Sequence, residues 1–244
     1  MSTGRQVALV TGAGGGIGSA VATTLAKHGW AVVGVDLVER PAGLDPGSIE
    51  WVAGDVRDES VIRQALAVAT SLGTPSGLVT ATLAEQRGRL EDLEPAALTS
   101  VFDVQVAAAW AWSTAVVGVA SDELSIVHLS SVHAQRAGPG MAAYAVGKAA
   151  LDALVRASAV EWGPRGVRCN AVLPGFVPVS RNKDRWSDRA RAEELLANHP
   201  LRRFVTAEDV AHVVAFLLGP DSRAVTGVAL PVDGGLLALL PSWA

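Results

Sequence analysis

The 244-residue chain has one cysteine, one tyrosine and two methionines. A single cysteine cannot close an internal disulfide and cannot hold a zinc ion alone, so no oxidising compartment is implied. A reducing, cytoplasmic setting is the simpler expectation. Neither sign of charge prevails: 20 Lys and Arg stand against 24 Asp and Glu, for a net charge of −4. That balance speaks against nucleic acid or an anionic membrane surface as a partner. Long hydrophobic runs are also missing. Gln6–Val10 is too short for a signal-peptide core and runs straight into glycines. The charge-free stretch from Val104 to Ser121 contains Gln105, Ser113 and Thr114. It falls slightly short of a bilayer span of ~20 residues, so a buried helix is expected there and no membrane partner. The five histidines show no metal-ligand spacing and no His-Glu-x-x-His. Ser131 is outside any Gly-x-Ser-x-Gly elbow, which argues against an α/β-hydrolase.

What is present is apolar and regularly patterned. Half of the residues are hydrophobic, too many for a disordered chain, and the length suffices for a core without staples. Apolar runs predict strands at Val7–Val10, Ala31–Asp36, Ile49–Ala53, Leu78–Ala81, Ile126–Leu129, Val167–Val172 and Val228–Val232. Helical periodicity predicts helices over Ile17–His28, Glu59–Ser71, Pro95–Ala120, Ala142–Trp162, Asp184–Ala197 and Ala207–Leu218. Strands alternating with helices build a parallel sheet covered on both faces. No composition shift divides the chain, so residues 1–244 read as one doubly wound α/β domain.

Between the first strand and first helix lies Thr11-Gly12-Ala13-Gly14-Gly15-Gly16-Ile17-Gly18. A turn that brings backbone N–H groups against a pyrophosphate has no room for Cβ atoms, and the helix beginning there offers a positive dipole end. The G-x-G-x-x-G fingerprint does not match; the spacing is Gly12-x-x-x-Gly16-x-Gly18. Gly12, Gly15, Gly16, Ile17 and Gly18 are therefore candidate cofactor-binding positions. Asp36, ending the second strand, can accept from an adenosine ribose and would repel a 2′-phosphate. Position 13 is alanine and offers that phosphate no cation, so NAD is expected over NADP. Arg40, close in sequence, keeps NADP open.

Tyr144 and Lys148 stand four apart at the start of a predicted helix and so share a face. A phenol with pKa about 10 is a poor base at neutral pH. Lowering it by roughly three units takes about 4 kcal/mol of phenolate stabilisation. An ammonium one turn away can supply part of that. Ser131 ends the fifth strand, and its hydroxyl can hold a substrate oxygen beside the phenol. Tyr-x-x-x-Lys alone is a weak pattern; a serine and a glycine turn upstream make chance a poor explanation.

These residues resemble the short-chain dehydrogenase/reductase family over almost the whole chain. The likeness rests on Thr11–Gly18, Asp36, Asp55-Val56, Ser130-Ser131, Tyr144–Lys148 and Asn170-Ala171-Val172-Leu173-Pro174-Gly175. Arg203-Phe204, Glu208-Asp209-Val210-Ala211, Thr226-Gly227 and Val232-Asp233-Gly234-Gly235 complete it. The resemblance implies a Rossmann-type sheet of seven parallel strands. It implies Tyr144 as acid/base, Lys148 as the group that binds the nicotinamide ribose and tunes the phenol, and Ser131 as the substrate-orienting hydroxyl. It places Asp55 and Val56 at the adenine, the Ala81 backbone at the cofactor, and Pro174, Gly175 and Val177 beside the nicotinamide. The activity implied is hydride exchange between NAD(H) and a secondary alcohol/ketone pair. A cofactor-binding scaffold with weakened catalysis, or a dehydratase or epimerase on the same site, are the alternatives.

Two departures stand out. Where the family carries Asn-Asn-Ala-Gly, this chain has Thr80-Ala81-Thr82-Leu83. Where it carries a relay asparagine on the long helix, this chain has Gln105, readable equally as a proton-relay amide or a buried structural one. His133 reads as a loop histidine or a substrate-side residue, and Cys169 as inert core. Arg181, Lys183 and Arg185 form a basic cluster that is either a solvated face or an attractor of anions. Residues 176–200 match the segment that closes over substrate, a predicted lid with Phe176 and Trp186 as apolar contacts. The Val104–Ser121 helix lacks a polar face, and the tail Leu236–Ala244 is apolar. Both point to a homo-oligomer, a dimer or tetramer, as the resemblance also implies.

Overall fold

The computed structural model describes residues 6–45, 47–120 and 123–240. The expectations for the N-terminal residues 1–5, and for the tail beyond residue 240, lie outside the described residues. Seven parallel strands form one sheet in the order β3-β2-β1-β4-β5-β6-β7. They are β1 (Gln6–Thr11), β2 (Ala31–Asp36), β3 (Ile49–Ala53), β4 (Thr74–Thr80), β5 (Ser125–Leu129), β6 (Arg168–Pro174) and β7 (Ala229–Val232). Chain order reverses direction across the β1–β4 pair, the position where open α/β sheets leave a crevice beyond their strand ends.

Alternation along the strands separates two cores. Leu9, Val33, Leu78 and Ile126 face one side with Trp112, Val116 and Val155. Val10, Val32, Val79 and Val127 face the other with Val21, Leu25, Val214 and Leu217. The first side is covered by α2 (Glu59–Leu72), α4 (Ala108–Val117) and α5 (Ala142–Trp162); the second by α1 (Gly16–Lys27) and α7 (Ala207–Leu218). Strands buried on both faces are what near-continuous apolar runs produce.

Three elements differ from their expected bounds by more than two residues. Strand β4 begins at Thr74 rather than Leu78. Its early residues include Pro75, a residue that suppresses a strand reading because it cannot donate to a ladder. The long helix expected from Pro95 to Ala120 is α3 (Pro95–Phe102), a π-turn at Asp103–Ala107, and then α4, ending at Val117. Its composition and 23-residue length would suit a bilayer, yet Trp112 is 1% exposed and its indole N–H donates to the Val56 carbonyl at 2.9 Å. That contact makes it a core helix. The lid helix starts later than expected, as α6 (Arg189–Ala197), because Asp188 caps it by accepting from the Arg191 N–H at 3.0 Å.

The Arg168 guanidinium caps the end of α7. It donates to the carbonyls of Leu217 (2.8 Å), Leu218 (3.3 Å), Gly219 (3.1 Å), Ser222 (3.1 Å) and Val225 (3.4 Å), and to Ser222 Oγ (2.9 Å). The carbonyls of Leu217, Leu218 and Gly219 are acceptors that a helix C-terminus leaves unpaired.

Candidate active site

The expected site residues all sit at the C-terminal edge of the sheet. The glycine turn follows β1, Asp36 ends β2, Asp55 and Val56 follow β3, Ala81 follows β4 and Ser131 follows β5. Pro174 ends β6, with Gly175 and Val177 beyond it. Tyr144 and Lys148 lie in the first turns of α5. Residues scattered from position 12 to position 177 are thus brought to one crevice.

The turn fits a dinucleotide. Gly12 has φ +71°, and a Cβ on it would lie 2.6 Å from the Ala81 carbonyl carbon. A Cβ on Gly18 would lie 2.0 Å from the Gly12 oxygen. Neither position can carry a side chain without moving backbone. Helix α1, which starts here, has no side-chain cap and no acid in its first turn, so its leading N–H groups face the crevice free for an anion. Asp36 Oδ2 accepts from the Gly14 N–H at 2.8 Å, which holds its carboxylate against the turn. Arg40 is directed elsewhere: its guanidinium donates to the Ile49 carbonyl at 3.1 Å. Asp55 is engaged by Arg57, whose Nε donates to Oδ1 at 3.0 Å and to Oδ2 at 3.1 Å. That pairing holds its carboxyl below the usual range.

Around the phenol the geometry is specific. Lys148 is 3% exposed, and its ammonium donates to the Leu129 carbonyl at 2.6 Å while lying 5.7 Å from the Tyr144 ring centroid. Burial pushes this lysine down to about 8, against the opposing pull of Asp152. Tyr144 itself moves upward, mainly by burial; the Ser131 hydroxyl works against that, as do Arg181 and Arg87. The expected lowering by the lysine is not found in this arrangement, because the ammonium is turned to a strand carbonyl. His133 follows Ser131 in a short 3₁₀ turn, its N–H donating to Ser131 Oγ at 3.2 Å. Its ring stands edge-on to that of Tyr144 at 5.8 Å, which places it at the site wall as well as in a loop.

Gln105 lies in the π-turn, 2% exposed. Its Nε2 donates to the Ala84 carbonyl at 2.5 Å, so the amide pins the loop after β4. Its Oε1 has no partner and points at Gly147, where a Cβ would come within 3.0 Å. Gly147 lies between Tyr144 and Lys148 on α5, so this free acceptor is beside the candidate site. In the altered Thr80–Leu83 segment, Thr80 Oγ1 shares a hydrogen bond of 2.7 Å with His128 Nδ1 on the neighbouring strand. Leu83 is 38% exposed and lines a cleft with Glu85, Arg87 and Arg181.

The two lid aromatics have partners within the protein. Phe176 packs against Phe204 at 5.5 Å and under the Arg185 guanidinium at 5.4 Å. The Trp186 indole N–H is taken by Asn182 Oδ1 at 2.9 Å. Neither lines the cleft. Arg181, expected in a basic cluster, pairs instead with Glu85. Glu85 and Arg87 had no place in the sequence reading; their one signal was position, in the loop beyond a central strand. Cys169 is buried, and burial pushes its thiol up to about 12, as befits core.

His128 carries a stability prediction. It is wholly buried, and desolvation pushes it down to about 3 from 6.5, with the Lys148 charge acting in the same direction. Between those values the unfolded chain binds the proton that the folded chain refuses, so stability falls as pH drops through the window. His128→Asn, which keeps a polar partner for Thr80, is expected to shrink the stability lost between about pH 6.5 and 4.5 by about 2 kcal/mol. Urea denaturation at the two pH values measures it; an unchanged difference refutes the assignment.

A parallel doubly wound sheet, an uncapped glycine turn at its switch point and a tyrosine with a buried lysine one turn on, beside a serine, define a nicotinamide-dependent oxidoreductase. Residues 12–237 match the protein family described as Enoyl-(Acyl carrier protein) reductase. The chain is 37% identical to L-xylulose reductase of Mus musculus, over 96% of this chain and 97% of that one. It is 33% identical to 2-(S)-hydroxypropyl-CoM dehydrogenase 3 of Xanthobacter autotrophicus, over 96% and 98%. The solved short-chain dehydrogenase/reductase of Serratia marcescens superposes with a TM-score of 0.85 at 30% identity, covering 95% and 97%. The chain belongs to the short-chain dehydrogenase/reductase family.

Proposed function

We propose that this chain interconverts a secondary alcohol and its ketone with NAD(H) in preference to NADP(H). The observation that carries the reading is the meeting of Ser131, Tyr144 and Lys148 at the crevice beside the glycine turn. The nicotinamide, when bound, supplies or takes the hydride. Tyr144 holds the proton for the substrate oxygen. Because burial raises its pKa, the phenol is protonated at neutral pH, the form that donates to a carbonyl. Ser131 orients that oxygen, and Lys148, freed from the Leu129 carbonyl, holds the ribose and supports the phenolate. Gly12, Gly15, Gly16, Ile17 and Gly18 hold the pyrophosphate, with Asp55 and Val56 at the adenine, the Ala81 backbone at the cofactor, and Pro174, Gly175 and Val177 at the nicotinamide. The unpartnered Gln105 Oε1 supports a relay role for that amide.

The cofactor preference rests on Asp36, held against the turn, and on Arg40, held away from it. A like charge a few ångströms from a 2′-phosphate costs on the order of kcal/mol even in a polar setting. We expect wild-type kcat/KM to favour NAD(H) by at least about tenfold, and Asp36→Ser to erase that ratio. Initial rates with the two cofactors decide it; equal rates for the wild type would overturn the preference.

An oligomer is part of the same reading. Leu98, Trp110, Val146 and Val160 are 40%, 58%, 49% and 77% exposed on the α3–α4 and α5 layer, and apolar exposure of that kind marks an interface. A cytoplasmic setting suits a buried free thiol.

A further inference from the structure

The cleft lined by Leu83, Glu85, Arg87 and Arg181 has a volume of about 400 Å³, the size for a small substrate. Its polar wall is a carboxylate hydrogen-bonded by one guanidinium and ion-paired with a second. Arg87 Nη2 lies 2.5 Å from Glu85 Oε1, and Arg181 Nη1 donates to Glu85 Oε2 at 2.7 Å. The Glu85 side chain is only 11% exposed, whereas those of Arg87 and Arg181 are 51% and 57% exposed. The carboxylate lies beneath and the guanidiniums face solvent.

The loop that carries Glu85 and Arg87 is fixed at both ends. Gln105 holds the Ala84 carbonyl from below. Above, the Gly88 N–H donates to the Gly140 carbonyl at 3.2 Å, just before α5 begins and close in sequence to Tyr144. The trio therefore stands at the mouth of the site. Its charges reach the phenol, since Glu85, Arg181 and Arg87 all act on Tyr144.

The charge of this wall decides what it recognises. One carboxylate between two guanidiniums leaves a net positive charge. This stands against a chain of net charge −4. A neutral polyol would leave the excess uncompensated. A single carboxylate would complete an alternating Arg–Glu–Arg–carboxylate set, using fork donors that Glu85 does not occupy.

We propose that Arg87 and Arg181, oriented by Glu85, bind the carboxylate of the substrate, so that the preferred substrate is a short hydroxy acid or its oxo acid. The proposal deepens the alcohol/ketone reading and rests on it. Acid and ester forms of the same secondary alcohols, such as 3-hydroxybutyrate and its methyl ester, test it. Wild-type kcat/KM is expected to favour the acid at least tenfold, less so at high salt. In Arg87→Met/Arg181→Met the acid-to-ester ratio falls toward one, and Arg181→Lys restores part of it. A wild-type ratio of one or below overturns the proposal, as does a double variant that keeps the ratio. Calorimetric binding of acid and ester to the NADH-loaded protein gives a readout free of turnover. Selective acid binding without turnover sinks the oxidoreductase reading and keeps this one; turnover without acid selectivity does the reverse.

Discussion

Tyr144→Phe is expected to lower kcat by about a thousandfold or more while changing dinucleotide affinity by less than about twofold. The phenol oxygen is the one atom removed, and positioned proton transfer contributes ~10²–10⁴ in rate. The phenylalanine ring preserves the edge-on contact that His133 makes with Tyr144 at 5.8 Å, so the wall keeps its shape. The pH dependence of the wild type follows from the same residue. Burial raises the phenol above its ordinary value, which leaves it protonated at neutral pH. Ketone reduction is then fastest near neutrality, and alcohol oxidation climbs as pH rises and the phenol loses its proton. Initial rates in both directions and NADH fluorescence titration check the pair of expectations. A Phe variant with more than about a tenth of wild-type turnover would remove Tyr144 from the chemistry.

Arg168→Met is expected to cost about 1–3 kcal/mol of stability, the range for leaving a buried acceptor without its donor. Methionine matches the length of the stem and has none of the donors. Removing the guanidinium strands the Leu218 carbonyl at the end of α7 and leaves those of Leu217 and Gly219 with only the Ser125 and Ser222 hydroxyls as donors. Among the described residues no carboxylate is paired with this arginine, and burial lowers its pKa. Its function is to satisfy backbone oxygen, and its charge reinforces every one of those bonds. In a chain of this length the loss lowers Tm by about 5 °C. Calorimetry measures it; a shift of only a degree or two would show that water replaces the guanidinium freely.

The layered pattern was legible because the central strands β1, β2, β4, β5 and β6 are near-continuous apolar runs while α2 and α7 are apolar on one face. The glycine turn was legible because a strand, a run of small residues and a helix left one physical use for them. Tyr144 and Lys148 were legible from helical spacing. The ammonium's direction was not: its bond to Leu129 depends on where β5 ends relative to α5. The first residues of β4 were hidden by Pro75 and Gly77, which weaken a strand locally while pairing with β1 and β5 holds them in place. The π-turn around Gln105 has no local code; it positions a buried amide that reaches Ala84 across a different element. The Glu85–Arg181 pair joins residues 96 apart, and such a contact exists only once the lid is folded over the sheet edge.

The most direct test of the account follows an isotope. Enzyme, NADH deuterated at nicotinamide C4 and a small ketone are mixed near neutral pH, and the product is analysed by mass and by NMR. The account predicts a secondary alcohol with deuterium on its carbinol carbon, formed by the wild type and absent with Tyr144→Phe. Firm NADH binding with no labelled alcohol from any ketone or oxo acid tried would contradict it.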